Sequence, residues 1–404
     1  MRAIYVDKNI PKMLAVKAMK LAWKGVVYAP FSPVRCEDLP EPALPGPRWL
    51  RLQNQVCGIC ASDLALLNVE ADPKIGPAAL PGTTRYYLGH EVVSVVTEAE
   101  PGVTRFKVGD RVMMHTRFQA ATCRSQEIEP LCQQCAAGNY ILCENGSLGL
   151  APRGVGGGWG DGYTAHEAEV YPVPDDLSDD QAAMVEPLAV GVRTVLRRLP
   201  EAGEKVLVLG SGVVGLNVVQ ALRALSPDCQ ITASARYPHQ RQMAQKLGAD
   251  GFFEGADGYH AASRITGAKH YQGMMGSRMC LGGFDVVYDC VGSDATLQDC
   301  LRWTRAGGTV VLAGIKLKPL ALDLTPVWHQ EVNLIGLNSH GQESWQGRQM
   351  QTFELVIELL RQGKLSIDGL ITHRFPLEKW QEAIQTAQDK RSGAIKVVFD
   401  YRSS

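Results

Sequence analysis

A chain of 404 residues is longer than one ordinary core supports, so two domains are expected. Apolar residues make up 45% and charged residues 21%, with a formal net charge of -1, a balance that argues against nucleic acid or an anionic membrane as the main partner. No apolar run approaches the roughly 18 residues of a membrane span, and an acid stands where a secretory signal would need an apolar core, so the expected compartment is the cytoplasm.

In a reducing compartment the eleven cysteines are expected as metal ligands, reactive thiols or buried residues rather than disulfides. Seven of them fall between Cys36 and Cys143. Residues 11–24 hold four lysines among apolar positions and fit either a short helix or an extended arm. From Met1 to about Pro174 the texture is short β-branched runs broken by Gly and Pro, as at 50–56, 91–97 and 111–114, which predicts a module of many short strands.

Within that module Cys57-Gly58-Ile59-Cys60-Ala61-Ser62-Asp63 offers two thiols, a hydroxyl and a carboxylate, and Gly89-His90-Glu91 adds an imidazole and a second carboxylate. A thiolate and an imidazole from separate segments can hold zinc with one position left open. Cys-x-x-Cys alone also fits a redox pair, half of a structural zinc site, or two buried apolar residues. The glycine cluster 154–160 has no strand before it and no helix after it, and is expected as a flexible loop.

After Pro174 the segments lengthen. Ser178 is a plausible N-cap for a helix through Ala183, and a second helix is expected over 188–198. Strands at 205–209, 230–234, 285–289, 309–313 and 333–337 alternate with helical stretches, the order of a parallel sheet covered on both faces. A helix near 352–362 and a strand over 394–399 follow.

Gly210-Ser211-Gly212-Val213-Val214-Gly215 lies between a buried strand and a helix, the context that turns a weak Gly-x-Gly-x-x-Gly pattern into a dinucleotide site. About twenty residues on, Ala235-Arg236-Tyr237 presents no acid for a ribose hydroxyl, and the guanidinium of Arg236 suits a 2′-phosphate, favouring NADP over NAD. The bland alternative is that Arg236 lies over the adenine.

Cys60 with Ser62 and Asp63, then His90-Glu91, a cysteine lobe, Glu186-Pro187-Leu188-Ala189-Val190-Gly191 and the loop at 210–215 occur in an order that resembles the zinc-dependent medium-chain dehydrogenase/reductase family, and within it the sorbitol and threonine dehydrogenase-like branch. The resemblance implies a mixed α/β chain: a GroES-like β-rich catalytic domain over 1–189 and 339–404, and a Rossmann domain, a doubly wound parallel sheet, over 190–338. It implies a catalytic zinc held by Cys60 and His90 with Glu91 or Glu186, Asp63 orienting the histidine, and Cys57 left as a core residue.

A structural zinc is implied on Cys123, Cys132, Cys135 and Cys143, although 125–130 is an insertion between the first two ligands. Val190 and Val291 are expected near the nicotinamide and Lys396 near the pyrophosphate. Ala65 and Arg193 stand where the family often has histidines, so proton transfer is assigned to Ser62, with His115 a lesser candidate. Residues 261–283 are longer than the usual link and have no assigned role.

The implied activity is hydride transfer between an alcohol or polyol, or the matching carbonyl compound, and NADP or NAD, in a homodimer or homotetramer. The alternatives are a zinc-independent quinone or enone reductase and a non-catalytic dinucleotide-binding protein on the same fold.

Overall fold

The structure, a computed structural model, describes residues 1–72, 74–75, 84–116, 121–146, 153–255 and 257–402. The chain forms two compact units, one of Met1–Glu186 with Ile371–Ser404 and the other of Pro187–Leu370.

The first unit is built on a seven-stranded sheet whose centre is the strand Trp49–Gly58, paired antiparallel with Glu91–Ala99 on one side and Lys396–Asp400 on the other. Alternation of buried and half-exposed positions along Trp49–Gly58 gives this strand one face in the core. The register places Gly58 opposite Glu91 and opposite Val398. Three segments far apart in sequence therefore meet at one sheet end. The expected short strands at 91–97 and 111–114 are Glu91–Ala99 and Arg111–Met114. The undecided stretch near 11–24 is a helix over Ile10–Met19, started by Asn9, whose side chain accepts from Lys12 N at 3.1 Å.

Ser178 caps the helix Asp179–Ala183 in a reciprocal pair with Gln181. The second unit is a six-stranded parallel sheet in the order Gly251–Phe252, Gln230–Ser234, Lys205–Leu209, Phe284–Asp289, Thr304–Leu312, Asn333–Gly336. Strand order reverses between Lys205–Leu209 and Phe284–Asp289, the point where open α/β sheets take their ligands.

Residues 339–370, expected with the first unit, belong by their contacts to the second. The segment is tied into that unit's helices where Arg193 Nη1 donates to Glu343 Oε1 at 2.6 Å and Ser366 N to Gln220 Oε1 at 2.9 Å. The long link at 261–283 carries a hairpin of Lys269–Gln272 and Arg278–Leu281.

Candidate metal centres and dinucleotide loop

Cys60 is the N-cap of the helix Ala61–Leu67, which turns Asp63 inward, where it is 4% exposed. One oxygen of Asp63 lies 3.2 Å from His90 Nδ1, and the other accepts from Gly89 N at 3.2 Å. A carboxylate on Nδ1 fixes the ring orientation and presents the second nitrogen as the ligand atom. The Ser62 hydroxyl donates to Cys60 Sγ at 3.3 Å. One ligand atom each from Cys60, His90 and Glu91 lie within 4.8 Å of one another, a donor set suited to zinc. Burial works against a charge on His90, but Asp63 and the Cys60 sulfur outweigh it and hold the imidazole well above its ordinary pKa.

Lys396, expected near the pyrophosphate, is engaged with Glu91 in this unit. Its ammonium is 1% exposed and donates to both oxygens of Glu91, at 2.7 and 2.6 Å, and to Ile59 O at 3.4 Å. Burial lowers the lysine and the Glu91 charge more than restores it, so its pKa stands above the usual ammonium range. Register brings the two together: Lys396 opens the strand whose Val398 pairs with Gly58, and Gly58 pairs on its other side with Glu91. Glu186 is buried and lies outside the mutual 4.8 Å set, yet its charge is felt at Glu91.

The floor beneath this set is made of glycines. A Cβ at Gly58 would lie 1.9 Å from Glu91 Oε2, one at Gly158 2.4 Å from Cys57 Sγ, and one at Gly89, whose φ is +86°, 2.6 Å from Trp159 N. The cluster 154–160, expected as a flexible loop, is a packed crossing over its described span. Trp159 is fully buried, Ile4 N donates to Trp159 O at 2.8 Å, and Asn54 Nδ2 donates to Gly157 O at 2.9 Å and Gly160 O at 2.7 Å. Bare backbone is what lets two chains approach this closely, a packing signal that turn composition does not reveal. Cys57 lies in this core, 0% exposed, as expected.

Cys123, Cys132, Cys135 and Cys143 also bring ligand atoms within 4.8 Å of one another. Cys123 and Cys132 stand 3.6 and 3.9 Å from Cys143, sulfur to sulfur, which matches the roughly 3.8 Å edge of a tetrahedron with about 2.3 Å zinc–sulfur bonds. Amides already point at the sulfurs: Cys123 N at Cys143 (3.3 Å), Cys135 N and Glu144 N at Cys132 (3.4 Å each), and Asn145 Nδ2 at Cys123 (3.2 Å). The Cys135 amide foremost, with that of Glu144, pulls the Cys132 thiol down to about 6. The insertion closes on itself, with Thr122 N donating to Ser125 Oγ at 2.9 Å and Ile128 N to Cys123 O at 2.9 Å, so it leaves Cys123 in the set. His115 packs its ring 5.9 Å from Tyr140 and 5.4 Å from Tyr171, between this lobe and the sheet.

In the second unit Gly210 has a φ of +99°, and a Cβ there would meet Val291 Cγ2 at 2.6 Å. A Cβ at Gly215 would lie 1.7 Å from Gly210 O, whereas Gly212 has open space around it. The first and third glycines thus serve the turn and the helix packing, and the second leaves room for a pyrophosphate at the start of the helix Val213–Leu225. Val213 and Val214 open that helix, and Val190 lies on the helix Val185–Arg197. Beyond Ser234 and Ala235, Arg236 is exposed with its guanidinium 5.7 Å from the Tyr237 ring, and Tyr237 stacks on His239.

Two family models match: "Alcohol dehydrogenase GroES-like domain" over residues 46–175 and "Zinc-binding dehydrogenase" over 213–355. A sorbitol dehydrogenase of Arabidopsis thaliana is 29% identical over 365 residues, covering 88% of this chain and 89% of its own. Among solved structures, 2R,3R-butanediol dehydrogenase of Bacillus subtilis is 25% identical with a TM-score of 0.68, covering 91% of this chain and 96% of its own. A zinc-binding dehydrogenase of Sinorhizobium meliloti bound to NADP is 26% identical with a TM-score of 0.66, covering 91% and 95%. Together with the two donor sets and the glycine loop, these place the chain in the zinc-dependent medium-chain dehydrogenase/reductase family, in its sorbitol dehydrogenase-like branch.

Proposed function

We propose that this chain moves a hydride between a secondary alcohol or polyol, or the matching carbonyl compound, and a nicotinamide dinucleotide, with Cys60, His90 and Glu91 holding the catalytic zinc. The observation that carries this is the mutual closeness of those three ligand atoms with Asp63 already seated on His90. When bound, zinc supplies the Lewis acidity that makes an alcohol acidic at neutral pH, and the nicotinamide supplies the hydride acceptor.

The chain's own groups do the rest. Ser62, whose hydroxyl touches Cys60 Sγ, takes the proton released by the substrate. Asp63 keeps the His90 ring aimed. Lys396 balances the Glu91 charge beside the Cys60 sulfur and Glu186 in a buried site. Glu186 stands close enough to act on that charge balance and to receive a water or a substrate hydroxyl. The helix Ala61–Leu67 carries Ala65 in place of a relay imidazole, and Arg193 is held by Glu343, so the proton leaves through Ser62.

For the cofactor, the exposed Arg236 and the lack of an acid beside it support NADP over NAD. A carboxylate among the ligands makes the site harder than a dithiolate one, which favours a substrate chelating through two adjacent oxygens, as a polyol does. The structural zinc falls to Cys123, Cys132, Cys135 and Cys143.

The experiment is metal analysis of the purified protein with a panel of polyols, diols and their carbonyl partners, read by reduced-nicotinamide absorbance with each cofactor. Two zincs per chain and turnover on vicinal diols are expected. A zinc-free protein reducing quinones or enones at full rate would establish the zinc-independent alternative, and a protein that binds dinucleotide but turns nothing over would establish the non-catalytic one. Arg236→Ala should raise the KM for NADP about tenfold or more and leave that for NAD within about twofold.

A further inference from the structure

The helix Ile10–Met19 takes no part in either metal site, yet its outward face is unusual. Successive residues turn by about 100°, so Ile10, Leu14, Ala18, Pro11, Ala15 and Met19 sweep one half of the cylinder, while Met13, Val16 and Lys20 lie on the other half. The described burial follows that division. Val16 is fully buried and Met13 packs on the core, whereas Ile10, Leu14 and Met19 are 45%, 57% and 42% exposed. The chain then continues through Leu21 at 93% and Trp23 at 50%. A helix apolar on both faces is normally buried on both.

Charge says what covers the outer face. Between Lys8 and Cys36 there are six basic residues and no acid, two of them, Lys20 and Arg35, paired with Glu70 and Glu37. Lys17 and Lys12 stand at the two borders of the apolar half, and Lys20 is held at its base by Asn68 O at 2.9 Å and Glu70 at 3.4 Å. Lysines along both edges of an exposed apolar stripe, with a tryptophan beside it, match the interfacial zone of a bilayer, where long basic side chains reach the headgroups while the apolar face enters the acyl boundary. Area points the same way. Ten residues make a strip about 15 Å long and about 10 Å wide, far below the roughly 800 Å² that a stable protein partner covers on each side. A lipid surface needs no such complementary area.

We propose that the segment from Ile10 to Trp23 is a docking surface for anionic lipid, holding the enzyme reversibly against a membrane face. The test is co-sedimentation of the full chain with vesicles of phosphatidylcholine alone or containing about one third phosphatidylserine. Binding to the anionic vesicles is expected to be at least about tenfold stronger and to fall at about 0.5 M salt. L14E/L21E changes two exposed side chains, so its unfolding temperature should match the parent, while its vesicle binding should drop about tenfold or more. K17E alone should cost about fivefold. Equal sedimentation with both vesicle types, unchanged binding by L14E/L21E, or retention on poly-glutamate with none on vesicles would each overturn the proposal.

Discussion

The two candidate metal centres solve opposite problems with overlapping chemistry. The lobe at 123–143 offers four like donors from one short stretch, three of them accepting from nearby amides. The Cys60 centre offers three unlike donors from two segments, Cys60 at a helix start and the adjacent His90 and Glu91 at a strand start, with a hydroxyl on its sulfur, a carboxylate behind its histidine and a lysine behind its glutamate. A closed thiolate set contributes folding energy, and a mixed set with supporting partners is one that can exchange a fourth ligand. The surroundings of a site separate the two roles better than its donor count does.

The strongest way to break that comparison is Cys60→Ser. Turnover is expected to fall about a thousandfold or more while dinucleotide affinity, measured by fluorescence titration, changes by less than about threefold. Near-normal turnover would falsify the assignment of Cys60. Next is Lys396→Met, which leaves Glu91 buried without its counter-charge and should destabilise the chain by about 3–5 kcal/mol. Adding Glu91→Gln should restore at least half of the lost unfolding temperature in calorimetry, and no recovery would show that Lys396 acts through packing alone.

Cys143→Ser probes the closed site. One zinc per chain should disappear and the unfolding midpoint should drop, while kcat per folded molecule stays within about threefold; a collapse of kcat with the midpoint unchanged would reverse the assigned roles.

The smallest effect concerns pH on the lobe side of the sheet. Glu169, whose carbonyl receives His115 N and Thr116 N, is buried, and burial lifts its carboxyl from 4.5 to about 7. Between those values the folded chain holds a proton that the unfolded chain has lost, so stability falls as pH rises through that window and stays low above it. At about 1.4 kcal/mol per unit, the penalty above neutrality is at most about 3.5 kcal/mol. Glu169→Gln keeps an acceptor for His166 N and carries no charge. It should raise the unfolding temperature at pH 8 and leave it unchanged at pH 4. A gain of equal size at both pH values would remove burial of the charge as the cause.

Much of this was legible in the residue order. Cys60, His90, the cysteine lobe and the loop at 210–215 are short motifs whose chemistry depends on local spacing, and each stands where spacing put it. The Lys396–Glu91 pair is not legible in the residue order, because the partners are 305 residues apart and only sheet register brings them together. The glycines at 154–160 were misjudged because close packing and flexibility share a composition. The closure of the insertion rests on Thr122 and Ser125, two hydroxyls with no pattern to announce them.

The bare floor of the Cys60 centre also has a consequence for anyone wishing to retune its substrate range. Positions 58, 89 and 158 admit no added carbon without moving the Glu91 carboxylate, backbone or a sulfur, so a mutagenesis library that varies them will be filled with misfolded clones. Productive diversity has to come from side chains that already stand above that floor, which narrows the search before any screening begins.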